Sequence, residues 1–464
     1  MLNSPHTLPS LVDLFCGCGG LSWGFKEVGF PLLGCVDLSA AAIASIKANM
    51  ASPADRMATI MAANICDLDP ADFMPKSDSG CIVIGGPPCQ AYSRIGRGKL
   101  RSLGEHRAHL KDARGKLYEE FILFATALDA RAIVMENVLD SISYGGENIP
   151  DLICGDLEQM GYIAGWSVLN AADFGVPQVR ERVILIAIKD GEGFRPEWPV
   201  PTHYQPPDLR SFPGLNFTEV KARSSYFFPS HQALEKDSKP WVTVGDALSD
   251  LPQLRGGARE RYVQHKVNQE LPYRSEEPAN EFQSLMRSRT KEWGATTGHV
   301  YRNTPRDWPI FERMAPGNNF LDAARIADGL MEEACSRLGI FPDKSPEAYK
   351  KLKQQIVPPY DRGQFDDKWK RLDPRRPSHT VVAHLGVDTY SHIHPFEPRG
   401  ISIREAARLQ SFPDDYLFWG SMGDSYKQIG NAVPPLLSHA IAKVLYKEFS
   451  MRDHAVQLSG SHPV

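Results

Sequence analysis

The chain has 464 residues and a formal net charge of −4; 42% of its residues are hydrophobic and 23% are charged. These values are typical of a globular protein with room for one large core and a second domain. No apolar run reaches the roughly 18 residues of a membrane span, and the amino terminus lacks the charged and apolar pattern of a secretory signal. The sequence therefore predicts a cytoplasmic protein.

Short apolar runs recur over about the first 190 residues and are separated by helical patterns. Strands that alternate with helices predict a mostly parallel sheet covered on both faces. The predicted strands are 11–15, 32–37, 81–86, 131–138 and 182–189. The predicted helices between them are 39–50, with Ser39 as its N-cap, and 117–129.

The alternating pattern ends near residue 194. Six prolines in 194–214 forbid a regular helix and predict a linker. Beyond it, 215–400 is irregular and polar, although 320–339 has a helical pattern. Close to the carboxyl end, 434–449 predicts a helix that begins with proline and has one apolar face. That face needs a core, and the first domain is expected to supply it.

The eight cysteines are scattered along the chain. Cys16 and Cys18 are separated by a single residue and have no second pair, whereas a zinc site needs paired ligands. Most of the cysteines are therefore interpreted as small buried hydrophobic residues, and no metal is expected.

The first predicted strand runs into a glycine turn, in the stretch LVDLFCGCGG (11–20). Gly17, Gly19 and Gly20 allow a ligand to approach the backbone at the carboxyl edge of the sheet. Asp37, at the end of the second strand, is placed to accept both ribose hydroxyls of a nucleoside. The spacing is GxGG and not the GxGxxG of dinucleotide sites, so a pyrophosphate is not required. A packing turn with a helix-capping Asp is the alternative.

Cys89 follows the third predicted strand, in the stretch GGPPCQ. Pro87 and Pro88 restrict the backbone before it, which suits a thiol that must be held in place. Segment 92–116 comes next and carries a net charge of +6 in 25 residues. A nucleophilic thiolate beside a cationic segment suggests chemistry on an anionic polymer. A structural cysteine and a solvated loop are the alternatives.

Polar residues also stand at the ends of two later strands. Glu136 and Asn137 end the fourth strand, where a carboxylate is costly unless it is paired or used. Arg180 and Arg182, at the start of the fifth, fall on one side because strand side chains alternate. Either arginine can instead be an ordinary strand-edge charge. Together with Cys89 these groups suit a planar heterocycle, with donors for a carbonyl and an acid for a ring nitrogen.

Four motifs follow DLFCGCGG in order: GGPPCQ, ENV, QVRER and QIGNAVPP (428–435). The ordered set resembles the DNA (cytosine-5)-methyltransferases of bacterial type, over about residues 11–190 and 370–436. One motif alone has little specificity, whereas the ordered set is specific. The central region matches no motif, as expected of a target-recognition region, which varies within that family.

This resemblance implies a fold class and a division of the chain. The expected fold is α/β: a Rossmann-like class I methyltransferase domain with a mostly parallel sheet, plus a smaller irregular α+β target-recognition domain. The catalytic domain is expected at 1–193, completed by 423–464. The linker and the target-recognition domain are expected at 194–422.

The resemblance also implies catalytic roles. Cys89 would attack carbon 6 of cytosine, and Glu136 would contact ring nitrogen 3 and the amino group. Arg180 and Arg182 would surround the carbonyl at carbon 2. S-adenosylmethionine would supply the methyl group and leave S-adenosylhomocysteine, with no metal. Cytosine inside a duplex cannot reach the thiol, so the base would be flipped out at a cost of roughly a few kcal/mol, with 92–116 closing over the DNA.

The same resemblance implies which residues surround the cofactor. Asp37 would bind the ribose, and Asn431 would close over the cofactor. The family usually has Asp where this chain has Asn64; that Asp accepts a hydrogen bond from the adenine amino group, and Asn64 is expected to accept it through its amide oxygen. The full expected set is Phe15, Gly17, Gly19, Asp37, Leu38, Asn64, Ile65, Pro87, Asn431 and Val433.

The implied partner is double-stranded DNA carrying a specific sequence, and the implied setting is restriction–modification or epigenetic protection. A cognate restriction endonuclease is an expected functional partner. The enzyme is expected to be a monomer in the bacterial cytoplasm, associated with the nucleoid, and not with a membrane.

Three other functions remain open. A transfer-RNA cytosine-5 methyltransferase of the same fold would carry a Cys-Phe-Thr tripeptide, and none of the eight cysteines begins one. A catalytically silent DNA-binding protein would not need Cys89, Glu136 and both arginines. A nicotinamide dehydrogenase needs GxGxxG and leaves Cys89 unexplained.

Overall fold

The computed structural model describes residues 8–50, 55, 57–75, 79–88, 117–144, 146–207, 217–230, 237–254, 266–290, 294–302, 304, 306–358, 368–387 and 389–460. The chain divides into two compact units. The first unit comprises 1–176, 180–241 and 432–464, and the second comprises 177–179 and 242–431.

A seven-stranded sheet is the centre of the first unit. Its strands are β1 (Ser10–Leu14), β2 (Leu32–Asp37), β3 (Thr59–Ala62), β4 (Cys81–Gly85), β5 (Ala132–Asn137), β6 (Tyr162–Asn170) and β7 (Glu181–Lys189). They lie in the order β3-β2-β1-β4-β5-β7-β6. The first five strands of that order are parallel, and β7 runs antiparallel to both β5 and β6.

All five predicted strands are present, and the prediction of a mostly parallel sheet is confirmed. The sequence patterns did not reveal β3 and β6, which lie at the two edges of the sheet. β3 has four residues, none of them buried, and Gly165 and Ser167 interrupt the apolar run of β6. The apolar pattern that reveals a strand is therefore weakest in these two.

Four helices of the first unit follow strands of this sheet along the chain, and a fifth comes after its last strand. They are α1 (Gly20–Val28), α2 (Ala40–Met50), α3 (Leu117–Ala127), α4 (Ile149–Gln159) and α5 (Phe217–Arg223). Ser39 is the N-cap of α2, as predicted: its hydroxyl accepts the Ala42 backbone N–H at 3.3 Å. Val12, Val83, Ile133 and Phe121 of α3 expose no surface and belong to the core of this unit.

The proline-rich stretch contains no helix among its described residues, 194–207, as its prolines predict. It nevertheless packs within the first unit: Trp198 stacks on Phe228 with ring centroids 4.8 Å apart. A two-stranded parallel pair, β8 (His203–Tyr204) and β9 (Lys239–Pro240), closes this region.

The second unit is mainly helical. Its helices are α6 (Val244–Leu248), α7 (Glu281–Met286), α8 (Trp308–Arg313), α9 (Phe320–Leu338), α10 (Pro346–Ile356), α11 (Ile403–Leu409) and α12 (Met422–Asn431), and its short strands are β10 (Leu271–Pro272) and β11 (Ala295–Thr296). The predicted helix at 320–339 is α9, whose N-cap Asn319 forms a capping box with Asp322. Part of the core is ionic: the buried Arg408 pairs with Asp250 at 2.9 Å and with Asp414 at 2.5 Å.

Short 3-10 turns lie between these elements. They are Ile65–Asp67, Pro70–Phe73, Leu139–Ser143 and Ala171–Phe174 in the first unit, and Ala383–Gly386 and Thr389–Ser391 in the second.

The last helix, α13 (Pro435–Gly460), belongs to the first unit and packs on α1. The hydroxyl of Ser438 donates to the carbonyl of Leu21. A Cβ atom at Gly24 would lie 2.3 Å from the backbone nitrogen of His439, so the two helices approach closely only because Gly24 has no side chain. No helix within the described ranges is long and apolar enough to cross a membrane.

We expect the free energy of unfolding to fall on acidification because of His299 in the second unit. Burial, aided by the charge of Arg404, lowers the pKa of this imidazole from 6.5 to about 4. The unfolded chain binds the proton below pH 6.5 and the folded chain only near pH 4, so stability is lost as the pH falls through that window. Urea unfolding at pH 7.5 and 5.5 should show a loss of about 1 kcal/mol from this residue.

The variant His299→Gln separates the contribution of this imidazole to the pH dependence of stability from the contributions of other groups. It should reduce stability at both pH values, because His299 Nε2 donates to the Thr296 carbonyl at 2.9 Å, and should remove about 1 kcal/mol of the difference between them. His384→Gln, at an exposed position of the same unit, is the control. A pH dependence unchanged in His299→Gln would contradict the prediction.

Candidate functional site

The glycine turn after β1 is held in a conformation that most residues avoid. Phe15, Gly17 and Gly19 all have positive φ, of 61°, 53° and 83°. A Cβ at Gly19 would lie 2.5 Å from Cε of Met50 in α2, whereas one at Gly17 would meet nothing within 4 Å. Gly19 is therefore needed for packing, and Gly17 borders open space where a ligand can approach the backbone.

Asp37, at the end of β2, holds this turn in place. One carboxylate oxygen accepts the backbone N–H of Gly17 at 2.9 Å, and the other accepts that of Ser39 at 2.8 Å. Each oxygen has a further lone pair for a ligand hydroxyl. The structural and the ligand-binding interpretations of Asp37 are thus compatible.

The segment after β3 continues the same edge of the sheet. The backbone N–H of Ala63 donates to the carbonyl of Asp37 at 3.0 Å, so Asn64 lies next to the end of β2. Asn64 is exposed, and its side-chain oxygen accepts the N–H of Cys66 at 3.3 Å. Ile65 is buried, whereas Leu38 is 78% exposed. Apolar surface, a carboxylate and an amide therefore line one side of this edge.

Asp13, within β1, is a buried carboxyl group that belongs to none of the predicted site residues. One oxygen accepts the hydroxyl of Ser22, and the other has no partner among the described residues. Burial, together with the charge of Asp37, raises its pKa from 3.8 to about 7, against the hydrogen bond from Ser22. The available signal was a charged residue inside an apolar strand, which is costly without a purpose.

The GGPP stretch after β4 lies between this group of residues and β5. A Cβ at Gly85 would lie 2.0 Å from the carbonyl oxygen of Leu14, and one at Gly86 would lie 3.1 Å from Oε2 of Glu136. The side-chain amide of Asn137 donates to the carbonyl of Pro87 at 3.4 Å. The two glycines therefore let β4 lie close to β1 and leave room beside the Glu136 carboxylate.

The structure brings Glu136, Arg182 and Arg180 together. Glu136 is the second-to-last residue of β5, and Oε1 of its carboxylate lies 2.8 Å from Nε of Arg182. Arg180 is 2% exposed; burial and the charge of Arg182 lower the pKa of its guanidinium, and Glu136 raises it. The arginines reach the carboxyl end of β5 because β7 is antiparallel to it. If β7 ran parallel to β5, as the alternating pattern implied, it would begin at the opposite edge of the sheet, and the two arginines would lie there.

The remaining predicted positions are Cys89, segment 92–116, Asn431 and Val433. Cys89 and segment 92–116 lie outside the described residues. Asn431 ends α12 in the second unit, and Val433 is buried in the first unit just before α13. No cluster of His, Cys, Asp or Glu in the described part of the chain is arranged to hold a metal ion.

The mostly parallel seven-stranded sheet with its covering helices defines a Rossmann-like class I methyltransferase fold. A prophage-encoded "putative DNA modification methyltransferase" of E. coli, known from a crystal structure, shares this fold: the TM-score is 0.61 at 21% identity, over 95% of this chain and 99% of that one. The predicted fold class is confirmed.

The sequence comparisons identify the family. Residues 10–447 match the C-5 cytosine-specific DNA methylase model. The chain is 47% identical over 448 residues to the "Putative type II methyltransferase M.OihORF3336P" of Oceanobacillus iheyensis, covering 96% of this chain and 97% of that protein. It is 34% identical to the type II methyltransferase M.AgeI of Thalassovita gelatinovora, covering 94% and 98%.

The chain therefore belongs to the C-5 cytosine-specific DNA methylase family and is a DNA (cytosine-5)-methyltransferase. The predicted family and enzyme class are confirmed.

We expect Asp13→Asn to change how stability depends on pH. The folded chain retains the Asp13 proton up to about pH 7, whereas the unfolded chain loses it near pH 3.8, so this group costs stability as the pH rises between these values. Between pH 5 and pH 8 the cost grows by about 3 kcal/mol, and the variant should be free of it.

Urea unfolding at pH 5 and pH 8 measures the difference for both proteins. Asp69→Asn, which changes an exposed N-cap carboxylate in the same unit, is the matched control and should behave like the unmodified chain. Parallel curves for Asp13→Asn and the control would show that Asp13 does not hold a proton at neutral pH.

Proposed function

We propose that this enzyme transfers a methyl group from S-adenosylmethionine to carbon 5 of cytosine within a specific duplex DNA sequence, through a flipped base and a covalent bond to Cys89. The observation that carries the proposal is the Glu136–Arg182 ion pair beside Gly86, with Arg180 buried close to it. This edge offers an acid and two cations to one side of a planar base.

The proposed addition step begins with the thiolate of Cys89. A bond forms between sulfur and carbon 6, the electrons of the carbon 5–carbon 6 double bond move to carbon 5, and ring nitrogen 3 takes a proton. After carbon 5 is methylated, its original proton passes to water, the electrons of that bond restore the double bond, and the sulfur leaves. At the same time, the proton on nitrogen 3 returns to the group that donated it.

Glu136 is proposed to exchange the proton with nitrogen 3 and to accept a hydrogen bond from the amino group. Its Oε1 is paired with Arg182, whereas Oε2 lies beside Gly86, which has no side chain. The base edge would meet Oε2 at that point. Arg182 and Arg180 would donate to the carbonyl at carbon 2, where negative charge increases during the addition.

The residues present fit the proposed cofactor. S-adenosylmethionine would supply the methyl group when bound. Gly17 borders open space, Asp37 has lone pairs left for the ribose hydroxyls, and the exposed Leu38 offers apolar surface to a base. Phe15, Gly19, Asn64, Ile65 and Pro87 are proposed to complete this side of the site, with Asn431 and Val433 as further cofactor residues.

The remaining proposals concern the substrate and the setting. The cytosine would have to leave the duplex, because a stacked base is out of reach of a side chain. The catalytic role is proposed for 1–193 with 423–464, and target recognition for 194–422. The names of the type II relatives support a role in restriction–modification. A cognate endonuclease, a monomeric state and a place on the nucleoid in the bacterial cytoplasm belong to the same proposal.

A stable adduct with 5-fluorocytosine tests the covalent step. Bisulfite sequencing of DNA from cells that express the chain first identifies the recognised site. A duplex with 5-fluorocytosine at that site should form an adduct that survives denaturation, because fluorine cannot leave as a proton does. Cys89→Ala should form none while it still binds the cofactor.

Transfer RNA that contains 5-fluorocytosine is the comparison substrate. An adduct with transfer RNA alone would overturn the proposed substrate. Absence of any adduct, under conditions where the site is methylated, would overturn the covalent mechanism.

Glu136→Gln should slow methylation by about 100-fold or more, because glutamine cannot hold the proton that nitrogen 3 must receive. Single-turnover methylation of the recognised duplex measures the rate, and calorimetry should show unchanged cofactor binding. Glu192→Gln removes the comparable ion pair of Glu192 with Arg131, at 2.8 Å, and is the matched control. Equal rates for the two variants would exclude the proton-transfer role.

A further inference from the structure

The residues that lead into Arg180 are held by the second unit. Residues 177–179 belong to that unit, whereas Arg180 begins the next stretch of the first unit. The backbone N–H of Val179 donates to the carbonyl of Ser378 at 2.8 Å, and the carbonyl of Val179 accepts the hydroxyl of Thr380 at 3.0 Å. Hydrogen bonds within the second unit therefore fix the backbone immediately before the arginine.

Gln178, in the middle of this segment, is fully buried, and both polar atoms of its side chain are bonded. Its NH₂ group donates to the carbonyl of Leu409 and to the side-chain oxygen of Gln410, both at 3.0 Å. Its oxygen accepts the backbone N–H of Val381 at 2.7 Å. A buried amide is costly unless it is bonded, and three hydrogen bonds together specify one position for it. An apolar side chain would fill the same space without specifying that position.

The backbone of Arg180 is bonded on the other side of the segment. Its N–H donates to the side-chain oxygen of Asn170 at 3.2 Å, and its carbonyl accepts the N–H of Ala171 at 2.9 Å. Bonded backbone therefore runs from Gln178 into the arginine. Arg182 follows two residues later, on the same side of the chain, because strand side chains alternate. A displacement of Gln178 should thus shift both guanidinium groups.

We propose that Gln178 is a positioning residue for the two arginines: its buried amide sets where the backbone enters β7, and hence where Arg180 and Arg182 donate. This inference rests on the proposed function, because it assumes that the arginines donate to the carbonyl at carbon 2 of cytosine. Gln178 is fully buried and acts only through the backbone. The placement of the arginines therefore depends on the packing of the second unit as well as on the sheet.

Gln178→Met removes these three hydrogen bonds and keeps a side chain of similar length. The N–H of Val381 and the carbonyl of Leu409 would lose a buried partner, which is costly, and the backbone would move to relieve them. Donors held ready for the charge that increases at carbon 2 act only while they are aligned with it. A displacement of about 1 Å can cost two orders of magnitude in rate.

Methylation of two duplexes tests the proposal. One duplex has cytosine at the recognised site, and the other has 2-thiocytosine, whose sulfur is a weaker hydrogen-bond acceptor than oxygen. We define the thio effect as the ratio of their single-turnover rates at saturating duplex and cofactor, and for the unmodified chain we expect about tenfold. Gln178→Met should methylate the cytosine duplex about tenfold more slowly or worse, with a thio effect of about twofold or less. Intrinsic effects of sulfur on the ring cancel when the variants are compared.

Gln283→Met is the matched control, because Gln283 is also fully buried in the second unit and bonded in the same way. Its NH₂ group donates to the carbonyl of Asp246 at 2.8 Å and to the hydroxyl of Ser249 at 2.9 Å, and its oxygen accepts the N–H of Ala279 at 2.8 Å. The two variants should lose similar free energies of unfolding in urea. Only Gln178→Met should lose the thio effect, whereas a general loss of stability would change it in neither.

Thr380→Val provides a milder second variant, which decides the matter if Gln178→Met does not fold. It removes only the hydrogen bond to the Val179 carbonyl, keeps the shape of the side chain, and should reduce the thio effect by about twofold. A thio effect that is unchanged in every folded variant would overturn the inference and leave the proposed function standing. Equal rates on the two duplexes for the unmodified chain would overturn the proposed role of the arginines, and the inference with it.

Discussion

The direction of β7 is the constraint on which the candidate catalytic edge depends. Because β7 is antiparallel to β5, the end of one strand and the start of the other meet, and Glu136 comes within 2.8 Å of Arg182. Both side chains are only 12–13% exposed. Each charge would cost several kcal/mol if it were buried alone, and the pairing offsets that cost. The strand reversal thus stabilises the charges and also collects them at one edge.

The residues proposed for the cofactor depend on a second constraint, the carboxylate of Asp37. The backbone N–H groups of Gly17 and Ser39 donate to Asp37 and join the turn after β1 to the end of β2. Hydrogen bonds within the protein therefore hold the residues of the proposed cofactor site in place. Gly85 has no side chain to collide with Leu14, so β4 can lie between the turn after β1 and the candidate catalytic edge. Residues that hold the fold and residues proposed to hold ligands are therefore largely the same ones.

Sequence patterns predicted most of the first unit and little of the second. Five strands, the N-cap Ser39 and the helix α13 follow from apolar periodicity, which acts over a few residues. β3 and β6 were not predicted, because a short or interrupted apolar run has little of that periodicity. The raised pKa of Asp13 was not predicted, because it results from burial, and burial depends on residues far away in the chain. The buried ion pairs of the second unit arise in the same non-local way.

By itself the sequence determined the kinds of elements, their order and the set of motifs that implied the family, because each of these is carried by neighbouring residues. The tertiary structure decided which atoms meet. The direction of β7 and the orientation of the Asn64 amide depend on hydrogen bonds whose geometry no residue pattern records. Residue types can therefore name a carboxylate, an amide or a guanidinium, but only the folded chain determines which partner each of them faces.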